Sequence, residues 1–160
     1  MLHTFIFDLD GTTVDSSHRL GDGSLADWRR NNTAANIQKD SPLPLAEQLK
    51  QAITDGLDCV ILTSRVLGTA DRVWLAHHGL EAPVILSRHI SDDRPAGEYK
   101  LARLHELAVD RRMAWADLRD SVVMWDDDAD VKVTLRGAGV RVVDPVQYNF
   151  NAKWSKEAAQ

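Results

Sequence analysis

Five short apolar runs, Thr4–Leu9, Asp58–Thr63, Val84–Leu86, Val122–Trp125 and Val140–Val143, alternate along the chain with longer amphipathic segments. Strands this apolar have no polar face to turn to water, so each must be covered on both sides, as in a parallel sheet flanked by helices. The segments between them supply the helices. Leu45, Leu49, Ala52 and Ile53 share one face of a helix opened by Pro42 and Pro44 and stopped at Gly56. Ala70, Val73, Trp74 and His77 form a second stripe ended by Gly79, Leu101, Leu104, Leu107 and Ala108 a third, and Val131 with Leu135 a fourth that runs out through Gly137 and Gly139. The expected architecture is α/β, a Rossmann-like parallel sheet with helices on both faces, forming a single domain over 1–160.

One connection breaks the pattern. From Asp10 to Ser41 the chain is polar and irregular, with Gly21, Gly23 and only a modest amphipathic piece around Leu25, Ala26 and Trp28. This is long for a link between a strand and a helix, and long links are usually functional, so a minimal cap-like insert is expected at about 13–41. Beyond Gln147, including Trp154, the sequence suggests a packed turn and a frayed tail. Cys59 is the one cysteine in 160 residues and lies within an apolar run, so no disulfide framework is available and a reducing cytoplasm is the expected compartment. No apolar run approaches the ~20 residues of a membrane span, and Met1 to Phe5 lack the basic region of a signal peptide. A net charge of −5 argues against broad, non-specific binding to duplex nucleic acid.

Sites in parallel sheets lie beyond the carboxyl ends of the strands. That rule brings Asp8 and Asp10, Thr63 to Arg65, and Asp126 to Asp128 to one crevice, with Lys100 near the start of a helix. Crowded carboxylates repel one another unless a divalent cation sits among them, and all-oxygen ligation suits Mg²⁺. A cation, a hydroxyl and a lysine together fit a phosphoryl group, and a carboxylate left over is free to attack phosphorus. Several of these residues have a plainer reading. Asp126 to Asp128 serve equally well as the cap of the following helix. Lys100 also fits a solvated helix lysine, and Arg19 and Arg65 fit surface ion pairs. Trp28 beside Arg29 and Arg30 suits either the stacking of a base or the packing of a small insert. Trp74, Trp115 and Trp125 fall on core faces. His77 and His78 are wrongly spaced for one helical face, and His18, His89 and His105 show no ligand pattern, so no zinc is predicted.

Four segments in order resemble the haloacid dehalogenase superfamily of phosphotransferases. Phe5-Ile6-Phe7-Asp8-Leu9-Asp10-Gly11-Thr12 looks like its first motif, Val60-Ile61-Leu62-Thr63 its second, Lys100 its third, and Val122-Val123-Met124-Trp125-Asp126-Asp127 its fourth. The resemblance implies Asp8 as nucleophile, Asp10 as general acid and base, Thr63 and Lys100 as phosphoryl-binding groups, and Mg²⁺ held by Asp8, Asp10 through its carbonyl, Asp126 and Asp127. Within the superfamily the pattern is most similar to the 3′-phosphatase domain of phage-type polynucleotide kinase/phosphatases. Arg19 lies nine positions after Asp10 and Arg65 two after Thr63, and the likeness implies that both hold phosphate. Ser64 departs from that pattern by replacing a glycine. Ala96 stands where an acid is expected four residues before Lys100, leaving Glu98 or Asp93 to orient the lysine, and Asp128 adds an unusual third acid. No Gly-x-x-x-x-Gly-Lys-Ser/Thr loop occurs, so a kinase half is absent. The expected function is a Mg²⁺-dependent phosphomonoesterase working through an aspartyl phosphate on a 3′-phosphorylated nucleic-acid end, in the host cytoplasm if phage-encoded. A small-molecule phosphatase acting on nucleoside monophosphates is the alternative reading, and a non-catalytic binding module is the third. No protein partner is evident.

Overall fold

The computed structural model describes residues 3–157, without the side chains of 154–157, so the expectations placed on Met1, Leu2 and Trp154 lie outside the described residues. The five apolar runs form one parallel sheet: β1 (Thr4–Phe7), β4 (Cys59–Thr63), β5 (Val84–Ser87), β6 (Val122–Trp125) and β7 (Arg141–Val143), in the order β5-β4-β1-β6-β7. The chain builds outward from β1 on one side, then returns to its other side, so the order reverses next to β1. At such a point the flanking connections diverge and leave a crevice beyond the strand ends.

Alternation along each strand sorts side chains between two cores. Ile6, Val60, Leu62, Met124 and Val142 face one layer, formed by α5 (Ala96–Asp110), α6 (Trp115–Ser121) and α7 (Ala129–Gly137). Phe7, Cys59 and Ile61 face the other, formed by α3 (Ala46–Thr54) and α4 (Thr69–His78). Trp74 is buried there and Trp125 stacks on Phe7 at 4.8 Å, while Trp115 is half-buried against the first core. Gly97 lets α5 approach α7 closely. A Cβ there would lie 2.9 Å from the Asp130 carbonyl oxygen, and the Gly97 N–H donates instead to the Asp130 side chain at 2.8 Å. That crossing fixes the first turn of α5, just ahead of Lys100.

The polar insert is better ordered than its composition suggests. A two-stranded antiparallel ribbon, β2 (Val14–Asp15) and β3 (Ser41–Pro42), closes its base, and between them lie a 3₁₀ turn (Ser17–Arg19), α1 (Leu25–Asn31) and α2 (Ala34–Ile37). Pro42 thus belongs to the ribbon, and the helix after it begins at Ala46. The ribbon's two strands are too short to register as a hydrophobic pattern, which hid them in the sequence. The C-terminal expectation needs correcting too: Val146–Glu157 is a helix, α8, rather than a packed turn and tail. Its buried Asn149 donates to the Thr12 carbonyl at 2.9 Å and accepts from the Leu45 amide at 2.8 Å. One side chain satisfies two buried backbone groups, which anchors the helix without an apolar stripe. Among the described residues no helix is long and apolar enough to cross a membrane.

Candidate active site

After β1 the chain turns sharply. The amides of Thr12, Thr13 and Val14 all donate to the Leu9 carbonyl, and Gly11 takes a φ of 73°. Any side chain at Gly11 would be strained there, and its Cβ would overlap the Asp127 carboxylate. The loop presents Asp8 and Asp10 beside the end of β6. Thr13 Oγ1 donates to the Asp8 carbonyl at 2.8 Å, and Thr12 Oγ1 donates to Asp127 Oδ1 at 3.1 Å. The Gly11-Thr12-Thr13 run therefore locks the two acidic strand ends together.

Lys100 sits between them. Its ammonium lies 2.9 Å from Asp8 Oδ1 and 2.6 Å from Asp126 Oδ2, and both acids and the lysine are buried. Lys100 is thus oriented by Asp126 and Asp8, not by Glu98 or Asp93. Asp93 is instead an exposed partner of Arg29 at 2.8 Å. The Gly97 crossing packs α5 against α7, the helix that follows Asp126, and so keeps Lys100 near that acid. Burial drives the Asp8 carboxyl well above the usual carboxylate range, helped by the charges of Asp126 and Asp10 and opposed by Lys100. Burial also raises Asp126 and Asp127. It disfavours the Lys100 ammonium, yet Asp8 and Asp126 outweigh that and keep the lysine charged.

Asp8, Asp126 and Asp127 each place an oxygen within 4.8 Å of the others. Against three carboxylates the cluster holds one lysine, so the residues present suit a divalent cation, and all-oxygen donors suit a hard one. Asp126 already uses both oxygens, Oδ2 for Lys100 and Oδ1 for the Asp128 amide at 3.0 Å. Asp8 and Asp127 are the carboxylates best placed to hold a cation. Asp128 caps α7, its Oδ1 accepting from the Val131 amide at 3.0 Å, which accounts for the third acid.

Sequence reasoning missed a second charged cluster. Arg65 donates from Nε to Asp10 Oδ2 at 3.1 Å and from Nη2 to Asp10 Oδ1, while Nη1 reaches Asp71 Oδ1 at 2.8 Å and Asp40 Oδ2 at 3.2 Å. Arg19 forks onto Asp40 at 3.0 and 2.7 Å and donates to Asn32 Oδ1 at 2.7 Å. Both arginines are buried and bonded to carboxylates, and Arg65 also lines the cavity beside Asp10. Asp40 and Asp71 lie far apart in the chain and belong to no motif, so only tertiary folding reveals them. Burial opposes ionisation of Asp10, but the charge and hydrogen bonds of Arg65, with Ser16 Oγ donating at 2.6 Å, hold it below the usual carboxylate range. Two neighbouring acids are thereby pushed in opposite directions, Asp10 toward the ionised form and Asp8 away from it.

Thr63 is fully buried, its Oγ1 accepting from the Arg65 amide at 3.1 Å. With one lone pair so occupied, the hydroxyl keeps its proton to donate. Next to it Ser64 lines the crevice, and its Oγ is buried without a hydrogen-bond partner. The crevice opens into a cavity of about 820 Å³. The strand ends give it a polar wall of Asp8, Asp10, Lys100 and Asp127, and the insert with its following loop adds Leu20, Leu25, Trp28 and Leu43. Arg29 ties the insert to the loop before α5, donating to the Ile90 carbonyl at 2.7 Å as well as to Asp93.

A parallel sheet of this order is the fold of solved haloacid dehalogenase-like hydrolases, and here its strand ends carry the acids of β1 and β6 with a buried lysine between them. Solved structures share the fold. The haloacid dehalogenase-like hydrolase SP0104 from Streptococcus pneumoniae superposes with a TM-score of 0.64 at 13% identity, over 89% of this chain and 84% of that one. A haloacid dehalogenase-superfamily hydrolase from Geobacter sulfurreducens, GSU2069, gives 0.59 at 12%, over 89% and 86%. A chain of the Pnkp1/Rnl/Hen1 RNA repair complex gives 0.60 at 21%, over 90% of this chain and 42% of that one. The chain belongs to the bacteriophage T5 5′-deoxynucleotidase family, whose model matches residues 1–155. No curated protein matches.

Proposed function

We propose that this chain is a Mg²⁺-dependent nucleotidase that hydrolyses deoxynucleoside 5′-monophosphates through an aspartyl phosphate on Asp8. The observation that carries this reading is the cavity, in which a polar wall with Asp8, Asp10 and Lys100 meets an apolar wall of Leu20, Leu25 and Trp28 from a cap-like insert over 14–42. A phosphate attached to a flat, largely apolar body fits both walls. Membership of a 5′-deoxynucleotidase family supports the same substrate class. Net charge −5 also suits a small substrate better than a polymer.

Asp8 attacks phosphorus in line as the 5′-oxygen leaves. Lys100 and the Thr63 hydroxyl bind phosphoryl oxygens, Ser64 flanking them, and Lys100 balances charge on the phosphorylated Asp8. Mg²⁺, held by Asp8, the Asp10 carbonyl and Asp127 with Asp126 behind them, would supply the charge that lets a phosphate dianion sit among carboxylates. Asp10, kept ionised by Arg65 and Ser16, is ready to take a proton from the water that attacks the aspartyl phosphate. For the first half of the reaction it needs a proton of its own. The incoming phosphate favours that protonation, since a like charge disfavours the carboxylate.

The test is a side-by-side assay of a deoxynucleoside 5′-monophosphate and a 3′-phosphorylated oligonucleotide, each with Mg²⁺ and with EDTA. Higher kcat/KM on the mononucleotide, lost in EDTA, is expected. Preference for the oligonucleotide would replace this reading with a polynucleotide 3′-phosphatase, and undiminished turnover in EDTA would remove the metal.

A further inference from the structure

Trp28 is a half-buried aromatic side chain of the insert. It belongs to neither apolar core, and α1, which carries it, has no buried residue. The ring rests against charge instead: the guanidinium carbon of Arg19 lies 4.9 Å from its centroid and that of Arg65 5.9 Å. Both arginines are fixed by carboxylates, Arg19 by Asp40 and Arg65 by Asp10, Asp40 and Asp71, so the indole sits on an immobile support and keeps one orientation. The half-buried ring is part of the cavity wall, beside Leu20 and Leu25, which are 53% and 37% exposed. Exposed leucines around a rigid indole, in the cavity that ends at Asp8, form a surface with no partner in a phosphate group.

We propose that Trp28 is the platform on which the nucleobase of the substrate stacks, so that it sets the preference for nucleotides over other phosphate esters. This rests on the nucleotidase reading and extends it to a residue outside the catalytic motifs. A preformed ring loses little freedom when a base lands on it, and stacking a base on an aromatic side chain contributes enough to be read in kinetics. The support has a second consequence. Arg65, against the ring, also grips both oxygens of Asp10, so the base platform and the acid–base residue share one guanidinium. The substrate's far end is thereby placed by the same group that places Asp10.

The experiment compares kcat/KM on 2′-deoxyadenosine 5′-monophosphate with that on 2-deoxyribose 5-phosphate, which has the same phosphate and sugar but no base. The ratio is measured for the wild type, Trp28→Phe and Trp28→Leu. Leucine fills most of the indole's volume without a π face, and phenylalanine keeps a face. Trp28→Leu is expected to lower the ratio by about 5- to 150-fold, the range that stacking of a single base supports. Trp28→Phe is expected to retain most of it. A ratio for Trp28→Leu within about twofold of wild type would overturn the platform, as would equal losses in the Phe and Leu variants or equal losses on both substrates, the mark of a merely structural residue. A wild type that favours the base-free ester would instead refute the nucleotidase reading itself.

Discussion

Replacing Arg65 by lysine keeps the charge and removes the geometry, which isolates what the guanidinium does. Arg65 is 2% exposed and donates to three carboxylates at once, two bonds to Asp10 and one each to Asp40 and Asp71. A lysine has a single nitrogen, which cannot span Asp10 and still reach both of the others. At least one charge-assisted bond is lost, worth about 1.5–3 kcal/mol, and a buried carboxylate is left short of a partner. A net loss of about 2–4 kcal/mol follows, and at ~2–4 °C per kcal/mol for a chain of this size the midpoint of thermal unfolding should fall by about 4–16 °C. Circular dichroism on the metal-free protein at pH 7 measures it directly. Turnover should fall as well, because Asp10 loses its bidentate clamp. If Arg65→Lys melted within about 2 °C of wild type, the network would be carrying little load and Arg65 would read as the free, phosphate-seeking arginine the sequence suggested.

Two further outcomes follow from the same electrostatics. Asp8→Asn should abolish turnover yet raise the unfolding midpoint in EDTA at pH 7, because burial makes the Asp8 charge costly. An acid whose folded pKa is raised weakens the fold above that pKa and ceases to do so below its unfolded value near 4, so the advantage of Asn should vanish as pH falls below about 4. A lower midpoint for Asp8→Asn at pH 7 would contradict it. Far from the site, Asp58 is held below the usual range because hydrogen bonds from Arg111 at 2.7 and 2.8 Å and from Thr4 at 2.5 Å outweigh its burial. Its contribution is present above the unfolded pKa near 4 and is lost as pH falls through the lower folded value. Arg111→Leu should therefore flatten part of the acid limb in urea titrations between pH 6 and pH 2, and an unchanged limb would show that the pair is inert.

The sequence by itself determined the strands, their parallel pairing and the first layer of chemistry. A run such as Val122–Trp125 has no polar face, so it had to be covered on both sides, and the acids following β1 and β6 had to meet because carboxyl ends of parallel strands share one edge. The meeting of Asp8, Asp10, Asp126 and Asp127 was legible for that reason, whereas Lys100, on a helix, was assigned through the resemblance of the motifs. What carries no periodicity was not legible. The ribbon between Val14–Asp15 and Ser41–Pro42 is two residues wide, and α8 is held by Asn149 rather than by an apolar stripe. The partners of the charged groups were decided only in three dimensions. The fold gave Arg65 the partners Asp10, Asp40 and Asp71, residues drawn from the loop after β1, the end of the insert and the start of α4. Lys100 likewise reached Asp126 across 26 positions because Gly97 let two helices close on each other. Local sequence sets where a side chain leaves the backbone, but the charge it meets depends on which distant segments packing brings within hydrogen-bond reach, where bond strength falls away over a fraction of an ångström.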